Sequence, residues 1–434
     1  MSSLFERGVG LPRVARGHGC WVTDTDGNQY FDGSSGALVV NVGHDDSRVT
    51  SAIRRQLDAI SYAHPTAFGS DVNDDYANAL AQRLPIADAS IYPVSGGSEA
   101  VETALKVARA YHLANDRPER ALIIGRELSY HGNTRGALDV SGREALREPY
   151  LPWLGLSTHV PGVLEYRCPN PSHPEGCASW HAAMLEAEIA RVGPDRVAAF
   201  IAEPVGGAAS GAAVPPPGYW QAISAVCKRH GILVVADEVM TGFGRTGEWF
   251  ASTHFGLEPD IMTMAKGASS GYWPLGICAF SRHIADSLTT GGFAHGFTYS
   301  HHIVGAAAGS AVLKRIDQLG LVEQARKAGP LLEAALRATI GDHPMVGDIR
   351  GIGLLWAVEL VADRATREPF PGADRMAQRL TDRAREHGLL VYPSTGCAGS
   401  GRGDVVMIGP PLIVREDEIE ILVALLAAAL DGLA

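Results

Sequence analysis

The sequence predicts an α/β protein: a mainly parallel sheet covered by helices, with a smaller α+β domain beside it. Three observations carry that prediction. From about residue 90, short apolar runs alternate with Gly-rich turns and amphipathic helical stretches. The runs, such as Val197 to Ala202 and Ile232 to Ala236, are apolar without interruption, as strands buried on both faces are. After residue 320 the order becomes a long helix, a strand, a helix, a strand and a last helix.

Each element has its own signal. Trp21 to Asp32 (WVTDTDGNQYFD) alternates around a turn at Asp26-Gly27 and predicts a β-hairpin. Asp45 to Ile60 predicts a helix, and so does Glu99 to His112, with apolar residues at 101, 104, 105 and 108. Ala121 to Gly125 reads as a strand, with Tyr130-His131-Gly132 at its end. Pro161 to Gly176 is Pro- and Gly-rich and reads as an inserted loop. Strands at Val197 to Ala202 and Ile232 to Ala236 flank a helix from Gly218 to His230. Leu321 to Ile340 predicts a long helix, Gly351 to Glu359 a strand, and the chain closes with a helix from Glu416.

Composition narrows the function classes. The 434 residues carry a net charge of −11, with 46% hydrophobic and 20% charged residues, an ordinary globular balance. Such a chain buries about 75% of its unfolded surface and needs no disulfides to hold a core. The acidic balance argues against nucleic acid as a partner. No apolar stretch approaches the roughly 20 residues of a membrane span. Met1 to Gly10 carries Glu6 and Arg7 and lacks the apolar core of a signal peptide. Six cysteines spread over the whole length suit reduced thiols and a cytoplasmic location.

Several motifs carry chemistry. Ser95 to Arg109 (SGGSEAVETALKVAR) opens a helix with a Gly-Gly-Ser turn. Its unpaired N–H groups and the Ser98 hydroxyl make a phosphate cradle at Gly97 and Ser98, although a plain capped helix also fits these residues. Gly231 to Gly247 (GILVVADEVMTGFGRTG) is a buried strand ending in Asp237, a carboxylate placed where α/β proteins bind ligands. Gly242, Gly244 and Gly247 spell GxGxxG, but no helix follows and the strand ends five residues earlier, which weakens a nicotinamide oxidoreductase reading. Lys266 follows the apolar stretch Ile261 to Ala265 among Gly267, Ala268, Ser269, Ser270 and Gly271. Burial there lowers an amine's pKa, and small neighbours leave room for a flat partner. Tyr130 offers an aromatic face, Thr298 a hydroxyl in a Gly-flanked loop, and Glu203 a second strand-end carboxylate. A Schiff-base lysine, an Asp for a pyridinium nitrogen, a stacking ring and a phosphate cradle are what pyridoxal 5'-phosphate requires.

With these strings on the page, the chain resembles the class III (ω-type) aminotransferases, fold-type I pyridoxal-phosphate enzymes. The strings are SGGSEAVETALKVAR, YHGNTRGALDVSG, IAEPVGGA with VPPPGYW, VVADEVMTGFGRTG, TMAKGASSGYWPLG, GFTYSHH, RGIGLLWAVEL and IGPPLIV, in the family's order. The resemblance runs from about Leu11 to the C-terminus. It implies a seven-stranded-type, mainly parallel sheet in a large cofactor domain, 61–319. The small α+β domain would be made by both chain ends, 1–60 and 320–434. It implies Lys266 as the covalent and acid–base lysine, Asp237 on the pyridinium nitrogen, and Tyr130 and Val239 on the two ring faces. Gly97 and Ser98 would hold the phosphate, Glu203 would support the pocket, and Thr298 would reach the phosphate of the neighbouring subunit. The expected assembly is therefore a homodimer with active sites at its interface, or a tetramer of such subunits.

The implied reaction is a ping-pong transfer of an amino group from an amine or ω-amino acid to a keto acid, aldehyde or ketone. Ornithine-type members carry Arg where Asn133 stands, which turns the reading away from ornithine and acetylornithine. Members accepting ω-amines use a mobile Arg ahead of the Pro-Pro; Arg402, eight residues before Pro410, is the candidate. Trp153 is a candidate wall of the substrate pocket, as are Tyr166 and Trp273. Two rival reactions share the cofactor: a dialkylglycine-type decarboxylation and a semialdehyde aminomutase. No metal is expected, because Cys168, His173 and Cys177 leave a zinc site one ligand short.

Overall fold

The computed structural model describes residues 10–170 and 176–433. The N-terminal signal-peptide reading and His173 fall on residues outside these.

A seven-stranded sheet runs in the order Ser90–Val94, Gly276–Phe280, Ile261–Met264, Leu233–Asp237, Val197–Ala202, Leu122–Arg126 and Ser157–Val160. Only Gly276–Phe280 is antiparallel to its neighbours. Its central strands are buried at every residue, which explains why they are apolar throughout. Alternate side chains serve opposite faces. Ile201 and Val235 pack with Val101, Ala104, Val107 and Ala108 of the helix Gly97–Ala114. Phe200, Val234 and Ala236 pack with Leu185 and Ile189 of the helix Cys177–Val192, and with Trp220 and Ile223 of the helix Tyr219–His230.

Two smaller sheets complete the molecule. Val14–His18, Trp21–Asp24 and Gln29–Asp32 form an antiparallel meander. Leu389–Leu390, from the far end of the chain, adds to it in parallel, with Phe31 opposite Leu389 and Asp32 opposite Leu390. The third sheet is antiparallel and runs Val346–Ile352, Leu355–Leu360, Asp404–Ile408, Tyr392–Thr395. The single strand expected over Gly351 to Glu359 is thus a hairpin. Gly353 adopts φ 57° at its turn, a left-handed conformation that suits glycine and breaks the run. Tyr130 likewise stands in the loop beyond the strand, which ends at Arg126.

Buried arginines tie these units together. Arg245 donates to the carbonyls of Leu354 (3.1 Å) and Pro410 (2.5 Å) and to Asn41 Oδ1 (2.8 Å). Arg350 donates to Asp348 (2.8 Å) and Glu359 (2.7 Å), and to the Ser210 carbonyl at 2.8 Å. No helix among the described residues is long and apolar enough to cross a membrane.

Candidate active site

The site forms where several loops leave the carboxyl ends of the large sheet. The strand Leu233–Asp237 delivers Asp237, which is 3% exposed. Three donors fix its carboxylate. Thr263 Oγ1 and the Val239 N–H each donate to Oδ1 at 3.0 Å. His131 Nδ1 lies 2.6 Å from Oδ2. A carboxylate held this way is oriented before any ligand arrives.

Lys266 follows the strand Ile261–Met264 on a single turn, Lys266–Ala268. Its φ is 42°, in the left-handed region that a lysine seldom occupies. Burial pushes its ammonium down to about 8, against the carboxylates of Asp237 and Glu203, which hold it up. The side chain lines a cavity of about 210 Å3 shared with Asp237, Glu203, Tyr130, Val239, Gly97 and Ser98.

The helix Gly97–Ala114 points its start at this cavity. Its N-cap is Gly96, which provides no side-chain cap, so first-turn N–H groups stay available to an anion. Glu99 turns back to accept from the Ser95 N–H at 2.8 Å. Ser98 Oγ accepts from the Asn133 N–H and donates to Asn133 Oδ1, each at 3.1 Å, linking the helix start to the Tyr130 loop. A Cβ on Gly97 would stand 3.1 Å from a Val239 methyl, so glycine keeps this corner open.

Two buried polar atoms in the cavity wall lack a partner among the described residues: His131 Nε2 and Glu203 Oε2. Burial raises the Glu203 carboxyl above its usual range, partly offset by His131. Its other oxygen accepts from the Gly207 N–H at 3.0 Å. Orphaned polar atoms beside a cavity lined by Gly97, Gly132, Tyr130 and Val239 are what a polar ligand would satisfy. A small cavity with a lysine, an oriented carboxylate and an anion cradle therefore fits pyridoxal phosphate.

Gly97, Ser98, Tyr130, Glu203, Asp237, Val239 and Lys266 all meet at this cavity. Five other candidates do not line it. Arg402 lies on an exposed turn, where its guanidinium pairs with Glu368 at 3.1 Å. Trp153 ends the turn Glu148–Trp153, is 62% exposed, and stacks near Tyr150 with ring centroids 5.4 Å apart. Thr298 is exposed, its carbonyl accepting from the Tyr62 hydroxyl at 2.9 Å. Tyr166 packs on Arg367, and Trp273 on His302. His131 was not singled out from the sequence. Its one signal was its place between the aromatic Tyr130 and Gly132. At the inserted loop, burial pushes the Cys177 thiol up to about 11 with help from Cys168. Among the described residues no three His, Cys, Asp or Glu side chains converge as metal ligands.

The family model described as aminotransferase class-III matches residues 6–430. An uncharacterized aminotransferase, YodT, of Bacillus subtilis is 37% identical over 95% of this chain and 94% of its own length. A putrescine–pyruvate aminotransferase of Pseudomonas aeruginosa is 34% identical over 99% of this chain and 92% of its own. Among solved structures, an (S)-enantioselective omega-transaminase from Thermomicrobium roseum superimposes with a TM-score of 0.93 at 36% identity, covering 99% of this chain and 96% of its own. An amine transaminase from an uncultivated Pseudomonas species, in its PLP-bound form, superimposes with a TM-score of 0.92 at 35% identity, covering 100% and 98%.

Proposed function

The chain belongs to the class III aminotransferases and is a pyridoxal-phosphate-dependent aminotransferase; from that premise we propose its substrate class and the residues that act. The donor is an amine or ω-amino acid whose reacting amine is remote from, or lacks, an α-carboxylate. The acceptor is a keto acid such as pyruvate or 2-oxoglutarate. The omega-transaminase and putrescine–pyruvate relatives support the donor class, and Asn133 supports it from within the chain. The observation that carries the residue assignment is Lys266 sharing one small cavity with Asp237 and the start of the helix Gly97–Ala114.

Pyridoxal phosphate, when bound, supplies a carbonyl that condenses with amines and a ring that draws electrons from the substrate's Cα–H bond. The Lys266 amine would hold the cofactor covalently and carry the proton at Nζ. Its lowered pKa of about 8 leaves a useful neutral fraction at mildly alkaline pH. The Asp237 carboxylate would hold a proton on the ring nitrogen, and His131, Thr263 and the Val239 N–H keep it aimed. Tyr130 and Val239, which line the cavity, would flank the flat ring and exclude water. Gly97 and Ser98 bind the phosphate through N–H groups and a hydroxyl, while Glu203 closes the floor.

The proposal extends to assembly and place. Thr298 serves the phosphate of the neighbouring subunit in a homodimer. Exposed Tyr299 beside it, with Tyr62 against both, offers apolar surface to such an interface. The large domain is 61–319, and 1–60 joins 320–434 in the small one; the pairing of Phe31 with Leu389 supports that division. The enzyme acts in the cytoplasm, and the absence of any disulfide among its described cysteines is consistent with that.

The test is a panel of amines and ω-amino acids, each run with pyruvate and with 2-oxoglutarate. Amine-dependent alanine or glutamate formation is expected. Carbon dioxide release, or turnover that needs no keto acid, contradicts it and favours the decarboxylase or aminomutase.

A further inference from the structure

Lys266 stands on the turn Lys266–Ala268, and the back of that turn is covered by a segment distant in sequence. Asn41 lies between the strand Gln29–Asp32 and the helix Ser47–Ala59 and is 1% exposed. Its amide sits directly against Gly267. A Cβ added to that glycine would stand 2.5 Å from Asn41 Nδ2 and 3.0 Å from Phe243 Cβ. Next to Asn41, the Val42 N–H donates to Ser270 Oγ at 3.0 Å. The segment therefore meets the lysine's turn at both Gly267 and Ser270.

Asn41 is itself fixed on every side. Its Oδ1 accepts from the Arg245 guanidinium at 2.8 Å, and its Nδ2 donates to the Phe243 carbonyl at 2.9 Å. Its own carbonyl accepts from the Leu412 N–H at 2.8 Å. Arg245 is fully buried and donates in turn to the Leu354 and Pro410 carbonyls. A buried amide held this way cannot swing aside without leaving donors and acceptors unpaired.

Lys266 adopts φ 42° and Ser270 φ 52°, left-handed conformations that last where the surroundings impose them. The chain after Lys266 cannot relax toward the segment behind it, because it would strike an amide with no room to yield. We propose that Asn41, held by Arg245, is a positioning residue for Lys266: it keeps the turn in the conformation that aims the amine into the cofactor cavity. The aim of the lysine then depends on how the chain ends, which carry Asn41 and Leu412, are seated on the large sheet. This inference rests on Lys266 as the cofactor lysine of the previous subsection.

Three variants test it. Asn41→Ala removes the amide, Gly267→Ala drives a methyl into it, and the double variant gives that methyl the space the amide has left. In the cofactor-free protein, competitive labelling of amines across pH, read by peptide mass analysis, reports the Lys266 pKa. In the holoenzyme, steady-state kinetics separate kcat from KM. Asn41→Ala is expected to move the Lys266 pKa up towards the ordinary lysine value and to lower kcat about tenfold, with the amine KM within about threefold of wild type. Gly267→Ala should lower kcat about 100-fold, and the double variant should return to within about threefold of Asn41→Ala, because the methyl acts by striking the amide. Gly267→Ala alone carries the test should Asn41→Ala not fold. An unchanged Lys266 pKa and kcat in a folded single variant, or losses that multiply in the double variant, overturn the inference. A wild type in which borohydride fixes the cofactor to another lysine overturns the Lys266 reading itself, and this inference with it.

Discussion

Lys266 occupies a backbone conformation that costs a non-glycine residue about 1–3 kcal/mol, and such strain persists where the surroundings impose it. The turn directs the amine into the cavity rather than along the strand. Its titration gives a stability prediction for the cofactor-free protein. The folded pKa, about 8, lies below the usual 10.5, so the unfolded chain keeps the proton over a window in which the folded chain has lost it. Stability contributed by this group therefore rises with pH from about 8 to 10.5, with a slope of at most about 1.4 kcal/mol per pH unit. Unfolding wild type and Lys266→Met across that window should show wild type gaining on the variant; a constant difference contradicts the buried amine. A second prediction concerns the paired carboxylate. With cofactor bound, Asp237→Asn should lower kcat about 100- to 1000-fold and His131→Phe about tenfold. The double variant should be no worse than Asp237→Asn, because His131 acts through Asp237. Lys266 and Asp237 stood out in the sequence because Asp237 ends an apolar strand and Lys266 follows one. His131 did not, because a histidine between two residues of obvious purpose carries no pattern of its own. The pairing of Arg402 with Glu368 was not legible, because spacing to Pro410 says nothing about Glu368.

At the scale of elements, the helix Gly97–Ala114 and the loop Tyr130 to Asn133 form one half of the cradle. Gly132 adopts φ 139°, and a Cβ there would stand 2.4 Å from Ser98 Oγ and 2.9 Å from Ser98 Cα. Gly132→Ala should therefore displace the helix start and weaken pyridoxal phosphate binding about tenfold or more, read by titration of the apoenzyme at the cofactor's absorbance. Unchanged affinity would remove the helix start from the cradle. The strands of the large sheet were legible because both faces are buried, so their apolar runs have no polar gaps. The hairpin around Gly353 was not, since a glycine within an apolar run looks the same in a strand and at a turn. There, a Cβ would meet the Thr246 backbone at 2.3 Å, a contact across sequence that no local pattern records.

Across the whole molecule, the chain ends are held to the large sheet by buried arginines rather than by continuous core alone. Burial lowers the Arg245 guanidinium to about 9, yet four oxygens from three segments receive its hydrogen bonds. Arg350 joins the third sheet to the Ser210–Gly211 loop while neutralising Glu359, which is fully buried. Arg350→Met should cost about 3 kcal/mol, since it leaves buried Glu359 to Arg167 alone, takes the partner from Asp348 and breaks the bonds to the Ser210–Gly211 carbonyls; a melting temperature within a degree of wild type contradicts the clamp. The class of fold was legible because alternating strands and helices leave few arrangements open. The clamps were not, because arginines distant from their partners in sequence look like any surface cation. The central claim is that Lys266 is the residue that carries the cofactor. Borohydride reduction of the purified holoenzyme followed by peptide mass analysis tests it most directly. The account predicts one phosphopyridoxyl group per chain, on Lys266. A label on another lysine, or a protein that takes up no pyridoxal phosphate, would contradict it.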